Sequence, residues 1–143
     1  MKQLFVLFFA ALFSVSTTYA SVSPTTPAAE VGLSTTFPLA ENVKWSNVND
    51  YYKAQFTIDN KDYTAFFTHT GDLVASTRNV SSEELPKGLR QSLNEEMKDS
   101  WITGLVMMST KEGDTYFVQL ENATKKVIKK SVGNKKWSAY TPS

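Results

Sequence analysis

Between Asn42 and Arg78, apolar and polar residues alternate in short runs broken by turn-forming clusters. In the clearest run, Tyr52, Ala54, Phe56 and Ile58 alternate with Tyr51, Lys53, Gln55 and Thr57. That period of two belongs to a strand with one face in a core and the other turned away from it. Asp59-Asn60-Lys61-Asp62 interrupts it as a hairpin turn, because asparagine tolerates left-handed backbone angles. Thr70-Gly71-Asp72 is the next turn, with Gly71 free to take a positive φ. The stretch therefore predicts a four-stranded meander: Asn42–Ser46, Tyr51–Asp59, Tyr63–His69 and Leu73–Val80.

The period then changes. Leu85, Leu89, Leu93 and Met97 recur every four residues with polar residues elsewhere, which predicts an amphipathic helix over Pro86–Lys98. Ser81-Ser82-Glu83-Glu84 supplies hydroxyl caps and acids for its positive end. Ahead of the meander, Ala28 to Leu39 carries only a partial helical stripe, limited by Gly32 and Pro38. One or two helical turns are expected there, docking Phe37 and Leu39 on the sheet. Four more strands follow the helix. They are Trp101–Thr110 with Ile102, Val106 and Met108 on one side, Thr115–Asn122 with Tyr116, Val118 and Leu120 inward, Lys125–Val132 and Lys135–Tyr140.

The two halves share a plan. Tyr52-Lys53-Ala54-Gln55-Phe56 matches Tyr116-Phe117-Val118-Gln119-Leu120 in its leading aromatic and its glutamine. Each is preceded by a strand with a tryptophan (Trp45, Trp101), and Gly71 and Gly133 mark equivalent turns. The expected fold is α+β: an antiparallel sheet of about seven or eight strands built from two helix-plus-meander repeats, with the helices on one face. The repeats would cover 28–80 and 81–140 of a single domain, 28–140. Generic likeness between strands is the competing explanation of the match.

The first 20 residues stand outside this plan. Lys2 is followed by an apolar run from Leu4 to Val15 broken only by Ser14, and Thr18-Tyr19-Ala20 offers small residues for cleavage after Ala20. That is the layout of a signal peptide, and the run is short for a membrane span. Residues 21–27 read as a flexible leader. The mature chain is expected in the periplasm or outside the cell. With Lys2 removed, 14 basic residues balance 14 acids, so no general nucleic-acid surface is expected. No further apolar run is long enough for a transmembrane segment. The absence of cysteine excludes disulfides, thiolate metal sites and a cysteine nucleophile.

The run Phe37-Pro38-Leu39-Ala40, Asn42-Val43-Lys44-Trp45, Tyr51-Tyr52-Lys53-Ala54-Gln55-Phe56, Gly71-Asp72-Leu73-Val74 and Glu84-Leu85-Pro86 resembles the PepSY-like family of small exported bacterial proteins. That family is related in fold to the beta-lactamase-inhibitor-protein domain. The resemblance covers about residues 28–135 and implies a helix-and-antiparallel-sheet repeat with a binding, and in one version inhibitory, role. It carries over no catalytic residues. The lysine-rich strand before Val132-Gly133-Asn134 departs from the family pattern.

Little in the chain suggests catalysis. A single histidine, His69, cannot build a triad or a histidine metal site. No serine sits in a Gly-x-Ser-x-Gly elbow and there is no glycine-rich phosphate loop. The carboxylates Asp59/Asp62, Glu83/Glu84, Glu95/Glu96 and Asp99 occupy turns, a cap and a polar helix face, where solvated acids belong. No metal ligand set and no cofactor is expected.

Binding residues are easier to name. Tyr51, Lys53, Gln55, Phe66 and Phe117 fall opposite the presumed core positions, and clustered aromatics on such a face mark interfaces. A covering second layer is the competing explanation. Lys125, Lys126, Lys129 and Lys130 offer electrostatic contact with an acidic protein or envelope partner, or else protect a sheet edge from pairing. The expected function is a non-enzymatic exported binding protein that takes a protein, peptide or other ligand on its open sheet face. The alternatives are a small hydrolase using turn carboxylates and an envelope structural protein with a lysine-rich edge.

Overall fold

The computed structural model describes residues 25–141; the expected signal peptide, its cleavage point at Ala20 and residues 21–24 of the expected leader lie outside them, while the last leader residue, Pro27, belongs to a helix. One helix, α1 (Pro27–Thr36), leads into β1 (Glu41–Val48), β2 (Tyr51–Ile58), β3 (Lys61–Phe67) and β4 (Leu73–Asn79). A second helix, α2 (Lys87–Glu96), leads into β5 (Trp101–Thr110), β6 (Gly113–Glu121), β7 (Lys126–Val132) and β8 (Lys136–Ala139). All eight strands form one antiparallel sheet in sequence order, with β1 and β8 at its edges. Residue contacts divide the described chain into two compact units. The first holds residues 25–78 and 108–113, the second residues 79–107 and 114–141.

In the first unit, the alternation of β2 sets the core. Tyr52, Ala54 and Phe56 join Ala65 and Phe67 of β3 and Ala29 and Leu33 of α1 in one buried cluster. Trp45, Phe37, Tyr63 and Ile58 pack around it. Ile58 pairs with Lys61, so Asp59 and Asn60 alone make the turn. Both have positive φ, 50° and 60°, the conformation whose twist suits a two-residue hairpin.

The helix α1 runs for ten residues, longer than one or two turns. Thr26 caps it by accepting from the Ala29 amide at 3.3 Å, and Pro27 opens it. Gly32 does not limit the helix but lets it approach. A Cβ there would lie 2.1 Å from the Gly71 carbonyl oxygen, so backbone meets backbone without a side chain between them. Leu39 is 68% exposed and does not dock; only Phe37 and Ala40 of that segment reach the core.

In the second unit, Leu85, Leu89 and Leu93 are buried against Leu105, Tyr116, Val118, Leu120 and Trp137, with Met97 beside them. The sequence signal for the helix start resolves into two pieces. Ser82–Glu84 forms a separate 3₁₀ turn capped by Ser81, whose amide donates to the Glu84 carboxylate at 2.9 Å. Pro86 then ends that turn, and α2 begins after it. The Trp137 indole N–H reaches back from β8 to the Leu89 carbonyl at 3.1 Å.

Strand β5 departs from simple alternation. Ile102, Leu105 and Met107 share the α2-side cluster, whereas Val106 and Met108 are outside it. Ile102, Val106 and Met108 therefore do not share one side. The step of three between Ile102 and Leu105 departs from the period of two, and it spans Thr103-Gly104, where glycine makes a local irregularity inexpensive.

Candidate functional site

The register places the candidate residues of the first unit row by row. Lys53 is opposite Phe66, which is opposite Ala75; Gln55 is opposite Thr64, which is opposite Thr77. Tyr51 is two residues from Lys53 on the same strand face. None of these residues belongs to the α1-side cluster, so they share the other face. The structure thus brings Tyr51, Lys53, Gln55 and Phe66 together on adjoining strands.

Their surroundings differ. Gln55 is exposed, and Tyr51 and Lys53 are half-buried. Phe66 is only 2% exposed, and Ala75 beside it is buried too. Between Phe66 and Phe67 the pairing shifts by a residue: Phe66 faces Ala75 and Phe67 faces Leu73, leaving Val74 as the extra residue of a bulge. Burial holds the Lys53 ammonium below its ordinary pKa of 10.5, because the charged form loses water there. A cation beside a phenylalanine suits a partner that brings both apolar surface and an acceptor or carboxylate.

Phe117 lies in the second unit, 1% exposed, with the Tyr140 ring edge-on at 5.3 Å. Its neighbour Gln119, the counterpart of Gln55 in the repeat, is buried and donates to the Thr103 hydroxyl at 2.8 Å. The two glutamines therefore do different jobs, one solvent-facing and one structural.

The lysines do not form one patch. Lys129 pairs with Glu96 of α2, which places it on the helix side of β7. Lys126 and Lys130 alternate to the opposite side. Lys126 pairs with Glu121 at 3.3 Å, and the backbone amide of Lys125 donates to the Asn122 side chain at 3.0 Å.

The carboxylates sit where solvent reaches them. Glu84 caps a turn, and Asp72 accepts from the Thr70 hydroxyl at 2.7 Å within its own hairpin. Buried polar side chains among the described residues are Thr77, Gln119 and Ser131, none of them acidic. His69 is exposed, its ring edge-on to Tyr52 at 4.9 Å. Among the described residues, no cluster of three or more histidines, cysteines or acids could hold a metal ion. No helix of the described residues is long and apolar enough to cross a membrane.

One feature has no single-residue signal in the sequence. Leu33, Phe37, Val43 and Trp45 line an open groove of 190 Å³ between α1 and β1, with Glu30 at its rim. Each of these apolar residues reads as ordinary core by pattern, and only their spatial arrangement makes a groove.

Solved structures similar to this chain include three from Bacteroides. A protein from Bacteroides eggerthii assigned to the periplasm shares 17% identity over 80% of this chain and 86% of its own, with a TM-score of 0.73. A BLIP-like protein from Bacteroides fragilis shares 18% identity over 84% of this chain and 88% of its own, at 0.74. A DUF2874 family protein from Bacteroides uniformis shares 16% over 82% and 89%, at 0.75. At these identities the likeness establishes a BLIP-like fold. No protein-family model and no curated protein matches the chain.

Proposed function

We propose that the protein is a non-enzymatic periplasmic binding protein that holds its ligand on the sheet face away from α1, around Tyr51, Lys53, Gln55 and Phe66. Phe117 of the second unit, which stands in the repeat where Lys53 stands in the first, belongs to the same reading. The observation that carries this reading is the row Lys53–Phe66–Ala75. It places a large aromatic and a partly desolvated cation on the strand face that the helix-side core does not use. Phe66 itself is buried, so the surface a ligand meets along this row is carried by Tyr51, Lys53 and Gln55.

The periplasmic part rests on the Leu4–Val15 run, with cleavage near Ala20, and on the assignment of the similar Bacteroides eggerthii protein. The PepSY-like resemblance and an inhibitory role belong to the same reading. The acids seen in detail serve a cap and a hairpin, Glu84 and Asp72, which favours a binder over a hydrolase. Electrostatic contact through Lys125, Lys126, Lys129 and Lys130 has less support, since Lys126 and Lys129 already pair with Glu121 and Glu96.

The test is affinity capture from the protein's own envelope fraction with residues 21–143, beside the Tyr51→Ala/Lys53→Ala double variant. The expected outcome is a species retained by the parent and lost by the double variant, with far-UV circular dichroism unchanged. Identical captures by both would refute the open-face reading.

A further inference from the structure

The two edges of the sheet are built differently. Strand β8 has four residues, begins at Lys136 and is preceded by Lys135, a short, charged edge of the kind that resists pairing. Strand β1 has eight residues. Its one irregularity lies between Glu41 and Lys44, where Asn42 takes φ 55°. From Lys44 to Val48 it pairs regularly with Gln55 to Tyr51, and after Lys44 it carries no charge. Pairing to β2 uses one side of this ladder. Among the described residues, no other backbone bonds to the outer side of Lys44–Val48. A row of donors and acceptors at strand spacing is therefore presented outward.

The 190 Å³ groove runs beside this edge. Small-molecule sites begin at roughly 300 Å³, so this one suits a single side chain. Its walls are held by contacts elsewhere. Phe37 rests on Phe56 with ring centres 5.0 Å apart, and Trp45 on Phe67 at 5.9 Å. The groove is thus preformed, which lowers the ordering cost of filling it. Val43 at its rim is 36% exposed, and Glu30 on α1 is the charged residue lining it.

We propose that β1 takes an extended peptide segment of a partner protein as an added strand, with one aliphatic side chain in the groove and a basic residue two positions away facing Glu30. The offset of two follows from the alternation of a strand, which returns every second side chain to the same face. A second copy of this chain fits less well, because its own β1 would bring another Trp45 to a space bounded by the first. This surface is separate from the open face, so either reading can fail without the other.

The test uses residues 21–143, which contain every described element, and the peptide acetyl-Thr-Arg-Thr-Leu-Thr-Arg-Thr-amide. Amide chemical shifts are followed during titration. The expected result is saturable shifts in Lys44–Val48 and in α1, weakened at least tenfold by Val43→Asp, whose far-UV spectrum should match the parent. Glu30→Gln should weaken binding and remove most of its salt dependence. Two N-methylated peptides, blocking alternate sets of amides, separate strand pairing from apolar adhesion: one should bind and the other should not. The proposal is overturned by no saturable shift at millimolar peptide, by shifts centred on Tyr51–Gln55, or by equal binding of both methylated peptides. Sedimentation showing a dimer that already protects the β1 amides would also overturn it in favour of a second copy.

Discussion

Replacing Gly32 with alanine sets two physical effects against each other. Gly32 lies inside α1, where alanine is favoured over glycine by about 1 kcal/mol. Propensity alone predicts a more stable protein. The added Cβ, however, would sit 2.1 Å from the Gly71 oxygen and 3.3 Å from the Phe67 ring, where real Cβ contacts stay beyond 3.0 Å. The obstacle is backbone, so it cannot rotate away. The Gly71 turn is also fixed from within: the Thr68 amide donates to the Asp72 carbonyl and the Gly71 amide to the Thr68 carbonyl, both at 3.0 Å. The helix must therefore retreat by about an ångström, loosening Ala29 and Leu33 from the sheet. Overpacking of this kind costs about 1–3 kcal/mol. The rigid backbone obstacle puts this site in the upper half of that range, about 2–3 kcal/mol, so after the helical gain of about 1 kcal/mol the net loss is about 1–2 kcal/mol. For a chain of this size that is a fall of roughly 4–8 °C in Tm. Thermal unfolding of residues 21–143, followed by circular dichroism, measures it. The control is Gly133, whose φ is 57° and whose Cβ would meet nothing within 4 Å. Gly133→Ala should lose about 1 kcal/mol through backbone strain alone, and Gly133→Asn should recover most of that. A Gly32→Ala protein as stable as the parent, or more so, would refute the close-approach argument.

Other consequences are open to the same measurements. Trp137→Phe keeps most apolar surface but removes the donor to Leu89, and should cost about 1 kcal/mol; Trp137→Ala should cost about 3–5 kcal/mol by urea unfolding. A double-mutant cycle on Lys129 and Glu96 should give a coupling of about 0.5–1 kcal/mol, reduced in 1 M salt, where the screening length falls to about 3 Å. Lys53 has its folded pKa below 10.5, so its charge opposes folding at neutral pH and that penalty fades as pH rises through the folded pKa toward 10.5. Lys53→Met should therefore exceed the parent in urea midpoint near neutrality, with the gap closing at alkaline pH; a pH-independent gap would count against the desolvation argument.

How far the sequence could be read depended on what kind of information each element carried. The alternation in β2 was readable because Lys53, Gln55 and Thr57 are polar where Ala54, Phe56 and Ile58 are not. The Asp59-Asn60 turn was readable because few residues tolerate positive φ twice in succession. In β5, Leu105 to Met108 are all apolar, so the pattern holds no phase and does not tell which of them face α2. Gly32 looked like a helix limit because a sequence does not show which backbone lies opposite. Leu39 was expected inward on hydrophobicity alone, although single exposed leucines are ordinary. For the candidate face, parity located Tyr51, Lys53, Gln55 and Phe66, but not how deeply Phe66 is buried. The β1 groove stayed hidden because it is a space between residues that individually look like core.

The order of the strands also bears on how the chain acquires its fold. Each strand pairs with the one just before it, so no later strand has to be inserted between two that have already met. Closing each pair orders only a short intervening segment, apart from the longer link through α2, and the entropic barrier to each step is correspondingly small. A chain delivered from its N-terminus can add strands in turn, and at each stage the newest strand is the exposed edge. In the finished protein that position belongs to β8, the shortest strand and the one entered through Lys135 and Lys136, whereas β1 has been an edge from the first pairing onward.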